Sequence, residues 1–451
     1  MADNEWYALP GDPEFETYNV YGAARSSTTG YWYALVLKYA PTGWRPYFVK
    51  ITDLMPLTVT ELAGPYESGG GGAMYATPYE WFTGRGIAVD KNDIFWFLLE
   101  DFAYPTSYLR IYSFDPSTEA PPTLQHSVAV DLTDYWAAVG EDTFASADGD
   151  YIFFVATEHL VIYDVDGDSW TDVEPYGYDA GDRAGGAYAD QSCICAHGTD
   201  LYLNLYTHDS GVTTYRFLKS SDNGATWSSV KTYAKGDWGS SAGGDGCIHS
   251  MLSYNGSIYF LMDIYVAGKL YRWDGTSNDP ELVCTSELGA WSLDYLGLAP
   301  ALDDDTKLWI GGCDANTEYD AHIYEVDLSD DSVSLLFSWD CPTGNCDDNS
   351  MVLHFSSVKD TWVDGSYPDG RMIWFANSFN YGGGATNYGN AVFQFDFVSG
   401  GGGEPEPEEP PAPSGEISQE YEGQIIQKGQ GHGRAYEMKT IGGNIIISYQ
   451  E

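Results

Sequence analysis

Short apolar runs bounded by turn-forming residues recur along the chain. They are GYWYALVLKY from Gly30, DIFWFLLED from Asp93, DYIFFVATE from Asp150, DLYLNLYTH from Asp200, SIYFLMDIY from Ser257, KLWIGGCDA from Lys307 and RMIWFANSF from Arg371. Each is rich in β-branched and aromatic residues, the composition of a buried strand. Successive copies lie 63, 57, 50, 57, 50 and 64 residues apart. A second segment follows most copies and ends on an aspartate: YSFD at Asp115, YDVD at Asp166, YRWD at Asp274, YEVD at Asp327 and FQFD at Asp396. An aspartate at a strand end can accept the amides of the following turn, while the residue before it packs between sheets.

A β-like segment precedes each apolar run, as in GIAVDKN and CICAHGT, and an outer one follows the aspartate, as in HSVAVDL and VSLLFSW. Four antiparallel strands repeated at this interval predict an all-β fold, a seven-bladed β-propeller, with six or eight blades as alternatives. The physical reason is that each sheet has two apolar faces, which only a neighbour on either side can bury. The seventh repeat lacks an outer strand, and EWYAL (Glu5 to Leu9) is expected to supply it. The predicted domains are a propeller over 1–399, a Gly/Pro/Glu-rich linker over 400–415 and a β-prone C-terminal segment over 416–451. The linker is extended and self-repelling by composition. The last segment is too short for its own core and is expected to serve as an anchor or an oligomerisation strand.

SSDNGATW, from Ser220 to Trp227, has the form Ser-x-Asp-x-Gly-x-Thr-Trp. It resembles the Asp-box of sialidases and related propellers, and residues 1 to about 399 resemble Asp-box and kelch-like propellers. The resemblance implies a structural turn built by Ser220, Asp222, Gly224, Thr226 and Trp227, far from any catalytic centre. Sialidase activity also needs an arginine triad, a supported tyrosine nucleophile and an aspartic acid. The chain departs from that set, because Arg110 in LRIYSFDP belongs to a third strand.

Composition narrows the partners. Asp and Glu number 67 against 20 Lys and Arg, a formal charge of -47. Such a surface repels phosphate backbones and anionic membranes. Aromatics at 16% oppose disorder despite that charge. No apolar run has the roughly 18 residues of a membrane span, and MADNEWYALPGDPEF lacks the features of a secretory signal. All seven cysteines lie between Cys193 and Cys346. Cys341 and Cys346 flank a tight loop that can close a disulfide, while Cys193 and Cys195 read as small buried hydrophobes.

In a propeller, the links between second and third strands and those between blades share one face. Here those links carry Trp81, Phe82, Arg85, Trp136, Arg183, Trp238, Trp291 and Tyr381. Aromatic faces among Asp, Asn and Gly suit sugar rings, so these eight are the candidate ligand-binding residues. Asp164, Asp166 and Asp168 around Gly167 are a weak candidate for Ca2+, since the spacing of a calcium-binding helical hand is absent. Cys193, Cys195 and His197, with Cys247 and His249, are a weaker candidate for a soft metal. No catalytic residue is assigned. The expected function is a non-enzymatic virion or extracellular surface protein that binds glycan or a host surface and joins a larger assembly through 416–451. The alternatives are a glycoside hydrolase or polysaccharide lyase, and a ligand-free decoration protein.

Overall fold

The computed structural model describes residues 6–8, 18–40, 43–54, 57–67, 73–76, 86–102, 106–131, 140–146, 148–156, 160–173, 193–209, 212–234, 247–263, 268–285, 297–301, 306–314, 320–339, 351–357, 371–378, 391–396, 428–431, 434–441 and 444–449. Among them there is no helix. The chain divides into a unit spanning Met1–Val398 and a second spanning Ser399–Glu451.

The first unit is a β-propeller of repeated antiparallel sheets. Blade one contains Tyr18–Arg25, Trp32–Ala40, Gly43–Leu54 and Leu57–Ala63. Blade three contains Gly140–Ala145, Tyr151–Ala156, Leu160–Asp164 and Ser169–Val173. Blade four contains Ile194–His197, Asp200–Asp209, Val212–Ser220 and Ser228–Ala234. Blade five runs from Cys247 to Thr285 and blade six from Gly297 to Trp339, in the same strand order. The last blade pairs Met351–Ser357, Arg371–Ser378 and Ala391–Asp396, and its outer strand is Trp6–Ala8 from the other end of the chain. The expected closing strand is therefore in place, with Trp6 opposite Phe393 and Ala8 opposite Ala391.

Blade two departs from the pattern. Its second strand, Phe95–Phe102, pairs with two short inner pieces, Ala73–Ala76 and Ala88–Val89. The chain leaves the inner strand at Ala76, opposite Leu99, and rejoins it at Ala88, opposite Trp96. Trp81, Phe82 and Arg85 fall between these two pieces in sequence and lie outside the described residues. Just before Ala88, the backbones of blades one and two approach closely. A Cβ on Gly22 of blade one would lie 2.8 Å from Gly86 Cα, so only glycine fits there.

Strand alternation puts every second residue into each gap between blades. In blade two, Phe95, Phe97 and Leu99 pack toward blade one with Tyr33, Leu35 and Phe48. Trp96 and Leu98 pack toward blade three with Ile152, Phe154 and Ala156. Phe153 and Val155 continue into the gap with blade four beside Leu201 and Leu203. Burying each such side chain stabilises the fold by about 1.5–3 kcal/mol. The innermost strands meet in succession around the ring, the last one touching Tyr18–Arg25 of the first blade.

Candidate functional site

The links at one end of the blades are tight turns, and their carboxylates are consumed by structure. Asp115 accepts the Ser117 amide at 2.8 Å, Asp274 the Thr276 amide at 2.9 Å and Asp327 the Ser329 amide at 2.9 Å. In the SSDNGATW turn, Asp222 accepts the Thr226 amide at 2.8 Å and the Thr226 hydroxyl at 2.6 Å. Ser220 Oγ accepts the Gly224 amide at 2.9 Å. Gly224 has φ +84°, and a Cβ there would meet Ile162 of blade three at 2.9 Å. Asp93, itself at φ 66°, accepts the Ser26 hydroxyl at 2.6 Å and the Ser27 amide at 2.9 Å, joining blade two to blade one.

The Asp164, Asp166 and Asp168 trio lies on this turn face, with three separate partners. Asp164 accepts the Gly167 amide at 2.8 Å, Asp166 pairs with Lys91 at 2.5 Å, and Tyr163 donates to Asp168 at 3.0 Å. The amide-accepting aspartate of this turn is therefore Asp164, two residues before the expected Asp166. Cys193 and Cys195 are buried thiols outside any disulfide, and Cys193 Sγ donates to the Ile248 carbonyl at 3.4 Å. His197 Nδ1 lies 2.9 Å from Ser253 Oγ, and burial lowers its pKa. The side chains of Cys247 and His249 lie outside the described part, as do Cys341 and Cys346. Among the described residues, no three His, Cys, Asp or Glu side chains gather as a metal site.

These turns predict a pH dependence. Hydrogen bonds from Lys219, Thr226, Thr276 and Lys231 hold Asp200, Asp222, Asp274 and Asp279, respectively, below the usual carboxylate range. A depressed folded pKa contributes stability that is present above the unfolded value and lost as pH falls through the folded one. Burial raises the Asp90 pKa and acts in the opposite sense. Relief of the self-repulsion that comes with a net charge of -47 stabilises the fold on the way down from neutrality. The melting temperature is therefore expected to rise from pH 7 to about 5 and to fall below about 4. A scan of thermal unfolding against pH checks it, and a melting temperature that keeps rising to pH 3 refutes it.

The opposite ends of the strands form the loop face. All eight candidate ligand-binding residues, Trp81, Phe82, Arg85, Trp136, Arg183, Trp238, Trp291 and Tyr381, lie outside the described residues. The strand ends beneath these links are described, and they carry buried polar side chains. Glu100 is fully buried, Asp101 is 2% exposed and Asp142 is 3% exposed. By alternation, Glu100 follows Trp96 and Leu98 toward blade three, while Asp101 follows Leu99 toward blade one. Asp142 accepts the Ile194 amide of blade four at 3.3 Å. The three carboxylates enter three different gaps, so no two of them face each other across one ligand.

Asp101 anchors a constellation between blades one and two. Arg110 Nε donates to its Oδ2 at 2.7 Å, and Arg110 Nη2 donates to the same oxygen. The guanidinium lies 5.2 Å from the Tyr108 ring, and Tyr108 is 37% exposed. Tyr112, one alternation step further, stacks on Phe97 with centroids 5.4 Å apart and ring planes 9° apart. Burial raises its pKa, with Arg110 lowering it and Asp101 raising it further. Tyr66 packs against Tyr112 at 5.1 Å, and burial pushes its hydroxyl well above the usual tyrosine range. Among the described residues, the buried Tyr66 Oη and Asp101 Oδ1 have no hydrogen-bond partner.

Sequence reasoning set Arg110 aside as a third-strand residue. Its partner follows only from the hairpin register, in which Leu99 faces Arg110 and Asp101 faces Tyr108. The available signal was the scarcity of cations: an arginine among so many acids is worth locating wherever it falls.

No protein-family model matches the chain, and no curated protein matches it in sequence. Solved structures resemble it in fold. The periplasmic gluconolactonase PpgL of Pseudomonas aeruginosa is 10% identical with a TM-score of 0.46, over 70% of this chain and 84% of that one. An α-L-arabinofuranosidase of Fusarium graminearum is 11% identical with a TM-score of 0.44, over 86% of this chain and 96% of that one. The NanB sialidase of Streptococcus pneumoniae is 10% identical with a TM-score of 0.43, over 88% and 71% of the two chains.

Proposed function

We propose that the chain is a non-enzymatic carbohydrate-binding surface protein of a virion or an extracellular structure. In this reading, glycan binds on the loop face of blades one and two, and residues 416–451 attach the propeller to a larger assembly. The observation that carries it is the exposed Tyr108 ring beside the Arg110–Asp101 pair. A tyrosine ring offers a stacking surface to the C–H face of a sugar, and a guanidinium fixed by a carboxylate offers oriented donors to its hydroxyls. Both donors to Asp101 come from the Nε and Nη2 side of Arg110, which leaves the Nη1 side for a ligand. Glu100, Asp101 and Asp142 diverge, so no two of these three form the pair, about 5–9.5 Å apart, that hydrolysis by two carboxyl groups uses.

Presenting the full chain to a glycan array is the test, followed by titration of the glycans it retains. Tyr108→Ala is expected to weaken binding about tenfold, near 1.4 kcal/mol, without lowering stability measurably. Trp81→Ala and Trp238→Ala test the links that flank the same face. Retention of no glycan, or full affinity in Tyr108→Ala, overturns the assignment. Release of shortened saccharide from a bound glycan replaces it with the hydrolase or lyase reading.

A further inference from the structure

The chain contains two Asn-Gly dipeptides, Asn223-Gly224 and Asn255-Gly256. Both sit in turns with positive φ at each residue, 54° and 84° in the first and 48° and 77° in the second. Asparagine and glycine are the residues that tolerate this backbone. The same dipeptide is chemically labile, because a glycine amide with open surroundings can attack the carboxamide of the asparagine before it. What surrounds the glycine therefore decides the fate of each turn, and the two turns differ there.

Gly224 is buried, and its amide donates to Ser220 Oγ at 2.9 Å. A Cβ at this position would lie 2.9 Å from Ile162 Cδ1 and 3.3 Å from Phe153 Cε1, so the turn is pressed against blade three. Asp222 ties the turn further by accepting both the amide and the hydroxyl of Thr226. The Gly224 amide reaches the Asn223 carboxamide only after these contacts open. Asn255-Gly256 instead joins Cys247–Tyr254 to Ser257–Asp263 in blade five, with Tyr254 opposite Ser257. Both turn residues are exposed, and nothing lies within 4 Å of where a Cβ on Gly256 would stand. Among the described residues, the Gly256 amide has no acceptor of the kind that Ser220 provides.

We propose that Asn255 is a site of deamidation and isoaspartate formation in the folded protein, and that the turn around Asn223 protects the other dipeptide. The Gly256 nitrogen bonds to Asn255 Cγ, the Cγ–Nδ2 bond breaks, and ammonia leaves with the proton that the glycine nitrogen gives up. Water then opens the cyclic imide. Cleavage at Cγ leaves aspartate, and cleavage at the backbone carbonyl carbon leaves isoaspartate, with the chain running through Cβ. Either product adds a negative charge. Isoaspartate also lengthens a two-residue turn, and turn length sets the register of a hairpin.

The test is peptide mapping by mass spectrometry of the full chain, held in mildly alkaline buffer either folded or in urea. The Asn255 peptide of the folded protein is expected to gain about 1 Da and to separate into two chromatographic forms. The Asn223 peptide is expected to react about tenfold more slowly, the factor supplied by one hydrogen bond that must break first. In urea the two rates are expected to converge. Asn255→Gln is expected to abolish the fast reaction, and Ser220→Ala to speed that of Asn223 in the folded protein. Equal rates in the folded protein overturn the proposal. So does an Asn255 peptide that stays intact while the chain in urea reacts, or a difference that persists undiminished in urea and so belongs to the sequence rather than to the fold.

Discussion

Arg110→Ala is expected to lower the unfolding free energy of the propeller by about 3–5 kcal/mol, the cost of leaving a buried carboxylate without its counter-charge. Asp101 is 2% exposed, and among the described residues both of its hydrogen-bond donors belong to Arg110. The loss is attributable to stranded charge rather than to missing attraction, and a second variant separates the two. Replacing the pair together, Asp101→Leu with Arg110→Leu, removes the charge along with its partner. This double change is expected to recover most of the stability, as apolar replacements of buried ion pairs commonly do. Denaturant titration of the three proteins decides the matter. A double variant no more stable than Arg110→Ala overturns this account. Glycan affinity is expected to disappear in the single and the double variant alike, because neither presents the guanidinium.

Phe97→Ala is the second large effect, with an expected loss of about 3–5 kcal/mol. Phe97 is fully buried and lies between two parallel rings, Phe48 at 5.0 Å and Tyr112 at 5.4 Å, with Tyr66 edge-on at 6.3 Å. Removing it opens a cavity across the gap between blades one and two and takes away the surface on which Tyr112 rests. Phe97→Leu keeps most of the volume and is expected to cost about 1–1.5 kcal/mol. If the constellation depends on this stack, Phe97→Ala also weakens glycan binding at a temperature where the protein remains folded. A fold that tolerates Phe97→Ala with a change under about 1 kcal/mol is not held by this gap.

Much of the architecture was legible because its signals are local. The apolar runs that start near Gly30, Asp93 and Asp150 are the second strands of their blades, and both faces of each are buried. Aspartates such as Asp115, Asp274 and Asp327 hold turns two residues ahead, an arrangement that a four-residue motif specifies by itself. The interrupted inner strand of blade two was not legible. Ala88–Val89 is two residues long, too short for any period to register. Asp93 looked like the first residue of a strand, and its work is to bind a turn of the preceding blade. The Arg110–Asp101 pair was hidden because register, which no local pattern fixes, decides which residues of a hairpin meet.

The closing strand has a consequence for how the protein is made. Trp6–Ala8 leaves the ribosome almost the whole length of the ring before Ala391–Asp396, the strand it pairs with. Blades one to six can each assemble from neighbouring sequence during synthesis. The last blade cannot be completed until its third strand has emerged, however far the rest has progressed. Until then the early strand has no ladder to join, and the nascent ring stays open at one seam. A stalled chain ending before Ala391 is therefore expected to resist proteases over its middle blades and to be cut near its beginning.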